Sequence, residues 1–228
     1  MKKNHSYIWI SLIILIFGII FIPKIVDRVK NRNIVDHDRH KIGQNTQKNE
    51  KLLVIGKVPS FEFTDQSGET INNEDYKNKV YVVEFFFTTC PTICPVMNRN
   101  MVQLQNEFYK NPDFGIASFT INPEHDTPQV LTAYAEKYGA THKHWHMLTG
   151  DREKIYALAN SGFNLYVGKN NDAEGGFEHS GMFALIDKNG NIRSRKDKNG
   201  NPIVYYDGIE PEGIQMLKED ITKLLDEQ

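Results

Sequence analysis

The chain has 228 residues, of which 39% are hydrophobic and 25% are charged, with 16 glycines and 9 prolines. This length supports one main hydrophobic core, and the composition excludes a wholly disordered, collagen-like or multi-spanning membrane protein. The 27 basic and 29 acidic residues give a formal net charge of −2, so no overall positive field favours nucleic acid as a partner.

The N-terminal region contains an uncharged, apolar segment, residues 7–23, after a short polar tail, residues 1–6. A helix of this length spans about 25 Å at about 1.5 Å per residue, which is close to the minimum for crossing a bilayer. No small-residue cleavage pattern follows the segment, and no cysteine for lipid attachment precedes Cys90. We therefore expect an uncleaved, single-pass transmembrane anchor.

The charges around this segment do not settle its orientation. More basic residues follow it, within residues 24–32, than precede it, and this bias would place the C-terminal side in the cytoplasm. Residues 24–51 are polar and charged without a sustained apolar face. They predict a tether that holds a folded domain, residues 52–228, away from the bilayer.

The sequence after the tether alternates apolar runs with helical patterns, which predicts an α/β domain. Strands are predicted at residues 58–64, 80–87, 114–121, 145–148 and 181–186. Helices are predicted from Pro91 to a stop at residues 111–112, and at residues 127–138, 151–161 and 210–227. Two Asp-Lys-Asn-Gly-Asn segments, residues 187–191 and 197–201, predict hairpin turns. This order favours a central sheet with helices on both faces.

Both cysteines of the chain lie in one motif, Cys90-Pro-Thr-Ile-Cys94-Pro, where the predicted buried strand passes into a helix. If that helix begins at Pro91, the two thiols lie one turn apart, and the helix N-terminus stabilises their thiolates. Two thiolates suit either reversible disulfide chemistry or a soft metal ion, and a third ligand would favour the metal. The alternative is a pair of packed cysteines or an inert disulfide.

Histidines are the candidates for this third ligand, and five lie within the predicted domain: His125, His142, His144, His146 and His179. His179 precedes a strand and follows a glycine-rich loop, so it could converge with the cysteines at one sheet edge. A histidine in a surface loop is an equally good interpretation. His142, His144 and His146 alternate and would share a strand face, for which a solvated surface is the commoner explanation. His125 lies in a helix-entry turn that capping explains.

Four segments together resemble the SCO/SenC copper-assembly proteins of cytochrome c oxidase biogenesis. They are residues 87–95, 122–128, 145–150 and 179–187. The resemblance covers about residues 54–225 and implies a thioredoxin-like α/β fold with an added C-terminal hairpin. It implies copper, as Cu(I), Cu(II) or both, bound by Cys90, Cys94 and His179. It also implies one N-terminal helix in the bacterial inner membrane, with the domain on the periplasmic side.

Two departures from the family pattern remove acidic groups near the implied site. Thr92 stands where many members carry Asp, and Asn122 stands where many carry the Asp of an Asp-Pro pair. Asp126 matches the remaining acidic position, and the resemblance carries it over as a residue that supports the ligands or meets a partner. These differences bear on partner docking or redox tuning more than on copper ligation.

The leading hypothesis is a copper chaperone that receives copper from a donor and delivers it to the dinuclear copper A centre in subunit II of the oxidase. The alternative is a thiol:disulfide oxidoreductase with Cys90 and Cys94 as its redox-active pair, and a thiol peroxidase is a third hypothesis. Thioredoxins usually space their cysteines as Cys-x2-Cys and carry a proline before a strand near the site. Here the spacing is Cys-x3-Cys, and no proline occurs between Pro128 and Pro202. Both features favour metal binding over disulfide exchange.

Overall fold

The structure is a computed structural model that describes residues 15, 17, 19, 21–23 and 51–227. Residues 1–50 and residues 51–228 form two separate units. The described residues between 15 and 23 are helical and exposed. In the described ranges, no helix has both the length and the apolar character that a membrane span requires. The predicted N-terminal tail, most of the predicted anchor and nearly all of the predicted tether lie outside these residues.

A seven-stranded sheet forms the centre of residues 51–227. Its strands are β1 (Leu53–Lys57), β4 (Val80–Phe86), β5 (Phe114–Thr120), β6 (Trp145–Leu148), β9 (Met182–Ile186), β10 (Asn191–Ser194) and β11 (Tyr206–Asp207). Their order is β1-β10-β9-β4-β5-β6, and β11 pairs with the first two residues of β9. Strands β4, β5 and β6 are parallel, whereas β9 joins β4 in the antiparallel direction. The α/β class predicted from the sequence is thereby confirmed.

Two short hairpins accompany the main sheet. One pairs β2 (Glu62–Thr64) with β3 (Thr70–Asn72), and the other pairs β7 (Val167–Lys169) with β8 (Phe177–His179). The turns predicted at residues 187–191 and 197–201 are present, the first between β9 and β10 and the second closed by a bridge between Lys196 and Pro202.

Residues 51–227 contain four α-helices, with a π-helical turn (Leu158–Gly162) directly after the third: α1 (Cys94–Phe108), α2 (Pro128–Tyr138), α3 (Arg152–Ala157) and α4 (Pro211–Asp226). One face of β4 meets α2, where the rings of Phe86 and Tyr134 are 5.5 Å apart. The opposite face carries Phe85, whose ring packs against those of Phe119 and Phe163. Because all seven residues of β4 are buried, the strand that leads to the cysteines is fixed from both sides.

The strand predicted at residues 58–64 is wrong in its first half, because only Glu62–Thr64 is a strand. Pro59 has no N–H for a strand ladder. Instead, the Asn73 side chain accepts the N–H of Phe61 at 2.7 Å and donates to the carbonyl of Pro59 at 3.0 Å. The sequence also gave no sign of β1, since this edge strand exposes Val54 and contains Gly56 and therefore has no apolar alternation.

Candidate metal centre

The cysteine motif occupies the junction between β4 and α1, but the predicted start of the helix at Pro91 is wrong. The helix begins at Cys94, and residues 91–93 form a bend. A helix from Pro91 would need a hydrogen bond from residue 95 to residue 91, and Pro95 has no N–H and would clash with that carbonyl. Beginning at Cys94 places Pro95 in the first turn, where a missing N–H costs nothing.

This junction brings the two sulfurs together with a distant imidazole. The Sγ atoms of Cys90 and Cys94 and a ring nitrogen of His179 all lie within 4.8 Å of one another. The Cys94 Sγ is 3.2 Å from Nε2 of His179, and the Cys94 N–H points at the Cys90 Sγ at 3.5 Å. Both cysteines are free thiols and buried, and His179 is half-buried. Within the described part of the chain, no other group of three His, Cys, Asp or Glu side chains meets this geometric condition.

His179 presents a defined nitrogen to the cysteines. Its Nδ1 lies 3.1 Å from the carbonyl oxygen of Ser180, and a carbonyl can only accept, so Nδ1 carries the proton. In the neutral ring, Nε2 then carries the lone pair, on the side of Cys94. A backbone carbonyl that holds the second nitrogen in this way is typical of histidines that bind metals.

The hairpin β7–β8 carries His179 to the cysteine loop. Phe87, the residue after β4, packs edge-on against the His179 ring at 5.6 Å and against Phe177 at 5.2 Å. Gly175 in the hairpin loop has φ +85°, and a Cβ there would lie 2.8 Å from the Phe87 ring. The glycine is therefore required both by its backbone conformation and by the close approach of the two loops.

The two thiols differ in their ionisation. The hydrogen bond with Cys94 is the largest cause that lowers the pKa of Cys90, to about 3, and His179 and backbone N–H groups add to it against the effect of burial. The hydrogen bond with Cys90, together with burial, raises the pKa of Cys94 far above its usual value. The pair therefore holds a thiolate at Cys90 and a thiol at Cys94, and binding a metal through both sulfurs requires the loss of the second proton.

Asp126 supports the cysteine loop through hydrogen bonds to Thr88. Its fully buried carboxylate accepts the N–H of Thr88 at 3.0 Å and the hydroxyls of Thr88 and Thr120, and it lies 2.8 Å from Nδ1 of His125. Because Thr88 is two residues before Cys90, these bonds fix the path of the chain into the motif. The buried position of the carboxylate fits the predicted role of supporting the loop.

The other histidines stay apart from this centre. Nδ1 of His142 accepts the N–H of His144 at 3.2 Å, and Nδ1 of His146 lies 2.9 Å from a carboxylate oxygen of Asp65. Strand β6 begins only at Trp145, so His142 and His144 precede it and the three residues do not form the single strand face that their alternation would give.

Two residues near the centre were missed by the sequence interpretation. Thr88 has no signal of its own, because its role depends on Asp126, which is 38 residues away. Glu84 could have been noticed, since it is the one charged residue in the apolar run of residues 80–87. A buried charge in a central strand is unusual unless it has a partner or a function.

Comparison with known proteins gives one consistent result. The model of the family described as SCO1/SenC matches residues 50–212. The SCO1 protein homolog of Bacillus subtilis (strain 168) is 34% identical over 154 residues, which cover 67% of this chain and 78% of that protein. A protein of Stutzerimonas stutzeri whose name proposes copper binding is 30% identical, over 60% of this chain and 67% of that protein. SCO2-like proteins of Rickettsia are matched over slightly less than two thirds of their length, 65% in Rickettsia typhi.

Solved structures agree with this comparison. A SCO1/SenC family lipoprotein from Bacillus anthracis superposes with a TM-score of 0.66 at 31% identity, over 78% of this chain and 99% of that one. The protein BsSco, described as a member of the Sco family of cytochrome c oxidase assembly proteins, gives a TM-score of 0.65 at 27% identity, over 80% and 100% of the two chains. The sheet and helices described above are thus similar to those of these two solved structures.

Proposed function

The chain belongs to the SCO1/SenC family, and we propose that it is a copper-assembly protein that holds copper through Cys90, Cys94 and His179. The convergence of two sulfurs and one imidazole nitrogen within 4.8 Å carries this proposal. Thiolates are soft ligands that suit Cu(I), and an added imidazole lets the same group also hold Cu(II). The donor set therefore fits copper in either oxidation state.

We propose further that the copper is cargo for the dinuclear copper A centre in subunit II of cytochrome c oxidase. The description of BsSco as a member of a family of oxidase assembly proteins supports this role. In the proposed arrangement, residues 7–23 anchor the chain in the bacterial inner membrane and residues 24–51 tether the domain on the periplasmic side. The lipoprotein from Bacillus anthracis supports membrane association of such domains, although the proposed anchor here is different.

The direct test is a copper titration of the purified full chain, reduced and without oxygen, against a Cu(I) chelator. We expect one tightly bound copper per chain. Replacing one ligand, in Cys90→Ala, Cys94→Ala or His179→Ala, should weaken binding by more than the roughly 10–100-fold that loss of a supporting residue costs. His144→Ala, which removes a histidine outside the centre, is the matched control and should bind like the natural chain. Unchanged affinity in Cys94→Ala would overturn the ligand assignment.

One observation favours a second candidate function, thiol:disulfide exchange. The hydrogen bond between the two thiols lowers the pKa of Cys90 and raises that of Cys94, which is the division expected of an attacking and a resolving cysteine. Steady turnover of a disulfide substrate by a chain that binds no copper would make this the primary function. Tight copper binding without turnover would exclude it.

A further inference from the structure

Glu84, in the middle of β4, is fully buried and has no role in the copper site described above. One carboxyl oxygen accepts a hydrogen bond from Oγ of Ser118 at 2.7 Å. The other oxygen, Oε2, is buried and has no hydrogen-bond partner. Leaving a carboxylate oxygen unpaired in the interior is costly, so the neutral, protonated form has an advantage there. Burial accordingly raises the pKa of Glu84 to about 7.

A chain of side-chain contacts leads from the Glu84 face of β4 to the proposed copper ligands. Phe86 lies two residues after Glu84, on the same face of the strand, and its ring packs against Tyr134 of α2. Tyr134 in turn accepts a hydrogen bond from Asn98, whose amide also donates to the carbonyl oxygen of Cys94 at 2.9 Å. A charge on Glu84 contributes to raising the pKa of both Cys94 and Tyr134. The carboxyl and the ligand sulfur therefore interact electrostatically, although no hydrogen bond joins them within residues 51–227.

The neutral groups around Glu84 cannot compensate a change of charge at the copper. Ser118 on β5 and Trp145 on β6 are polar but do not titrate, and the Trp145 indole donates to the Ser118 oxygen at 3.0 Å. Burial raises the pKa of Tyr134 well above its usual value, so this phenol stays neutral. The segment of β9 that pairs with β4 consists of Ala184, Leu185 and Ile186, none of which carries a charge.

Two other buried carboxylates near this part of the core have partners. Asp220 on α4 is paired with Arg195 at 2.6 Å, and Asp126 accepts hydrogen bonds from Thr88 and Thr120. Glu84 has no such partner among the described ion pairs. With one buried oxygen unpaired and no basic partner, Glu84 is a group whose protonation can respond to the charge of the metal.

The charge of the copper site depends on the oxidation state of the metal. Two thiolates and a neutral imidazole give a net charge of −1 around Cu(I) and of zero around Cu(II). In the poorly polarisable interior, a nearby carboxylate destabilises the negatively charged Cu(I) site more than the neutral Cu(II) site. We propose that Glu84 is the internal proton acceptor of the copper site: when bound Cu(II) takes one electron from a one-electron donor such as ascorbate, the Glu84 carboxylate takes one proton from solvent. This inference rests on the proposed copper site.

The test is a redox titration of the copper-loaded full chain between pH 5.5 and 8.5, with ascorbate or an electrode as the electron donor and the Cu(II)–thiolate absorption as the signal. Uptake of one proton with one electron changes the equilibrium constant for reduction about tenfold per pH unit, which is about 59 mV. The potential of the natural chain should fall with rising pH over part of this range. In Glu84→Gln, whose side chain is always neutral, it should stay at the high value that the natural chain has at low pH.

Ser118→Ala is the matched control, because it keeps the carboxyl and removes the hydrogen bond that lowers the pKa of Glu84. Its potential should still depend on pH, with the dependence moved to higher pH. An equal slope in Glu84→Gln, or a potential of the natural chain that does not change with pH, overturns the inference while leaving copper binding intact. A natural chain that binds no copper would instead overturn the proposed function.

An infrared measurement on the natural chain makes the test independent of how well Glu84→Gln folds. The difference spectrum between the Cu(I) and Cu(II) forms near pH 7 should contain the carbonyl band of a protonated carboxyl in the Cu(I) form, with the small shift in D2O that an exchangeable proton causes. The absence of this band would contradict proton uptake at a carboxyl.

Discussion

The two regions that supply the proposed metal ligands are built differently. The cysteine loop lies between β4, which is buried along its whole length, and α1, and Asp126 holds it through Thr88. Within residues 51–227, the strands of the hairpin β7–β8 have three residues each and pair with each other, and the hairpin meets the cysteine loop at the ring of Phe87 and at the Sγ of Cys94. Two sulfurs beside a fully buried strand therefore meet a histidine on a short two-stranded hairpin, and the two regions should respond differently to substitution.

The largest effect is expected at the support of the cysteine loop. Asp126→Asn keeps the shape of the side chain but removes the charge that strengthens hydrogen bonds from Thr88 and Thr120. Hydrogen bonds to a charged group contribute about 1.5–3 kcal/mol each, so the free energy of unfolding should fall by about 3 kcal/mol. Copper affinity should fall by about 10–100-fold, as for other residues that support ligands.

Asp65→Asn is the matched control for this variant, because Asp65 is also buried and also accepts hydrogen bonds, from Ser67 and Glu69, but lies outside the cysteine loop. It should lose stability in urea denaturation without losing copper affinity. Equal losses of copper affinity in the two variants would show that the loop has no special dependence on Asp126.

A smaller effect is expected at the hairpin. Gly175→Ala places a Cβ 2.8 Å from Phe87 at a φ of +85°, whereas Gly176→Ala, at a φ of +80°, meets no atom within 4 Å. Both variants should lose about 1 kcal/mol to the left-handed conformation, and Gly175→Ala should lose about 1–2 kcal/mol more to crowding. Thermal unfolding measures both losses. If the two variants are equally stable, the hairpin moves to accommodate the added Cβ, and the contact between Gly175 and Phe87 does not define the position of the hairpin.

The smallest effect concerns the difference in reactivity between the two thiols of the cysteine loop. The hydrogen bond with Cys94 holds the pKa of Cys90 near 3, so Cys90 is a thiolate throughout the range from pH 5 to 8. Its rate of alkylation by iodoacetamide in the metal-free chain should therefore stay nearly constant over this range, while Cys94, fully buried and protonated, should react far more slowly. Peptide mapping identifies the modified residue. A rate that rises about tenfold per pH unit would show that Cys90 is an ordinary thiol.

Local patterns predicted most of the regular structure around the cysteines. The apolar, β-branched run before Cys90 is a central strand, and Thr127 caps a helix that begins at Pro128, as the sequence indicated. Neighbouring residues along the chain determine this strand and this helix start, through local propensity and capping. The predicted start of α1 at Pro91 is wrong because Pro95 cannot donate the N–H that such a helix requires, although proline itself is common in a first turn.

The sequence by itself determined that two thiols would lie at a strand-to-helix junction, because both cysteines and both flanking elements are close along the chain. Only the tertiary structure decided that His179, 85 residues from Cys94, turns Nε2 towards the sulfurs, that Asp126 reaches Thr88, and that the carboxyl of Glu84 is left with an unpaired oxygen. The physical reason is that local patterns fix secondary structure, whereas the protonation and orientation of a side chain depend on partners that folding brings from distant parts of the chain.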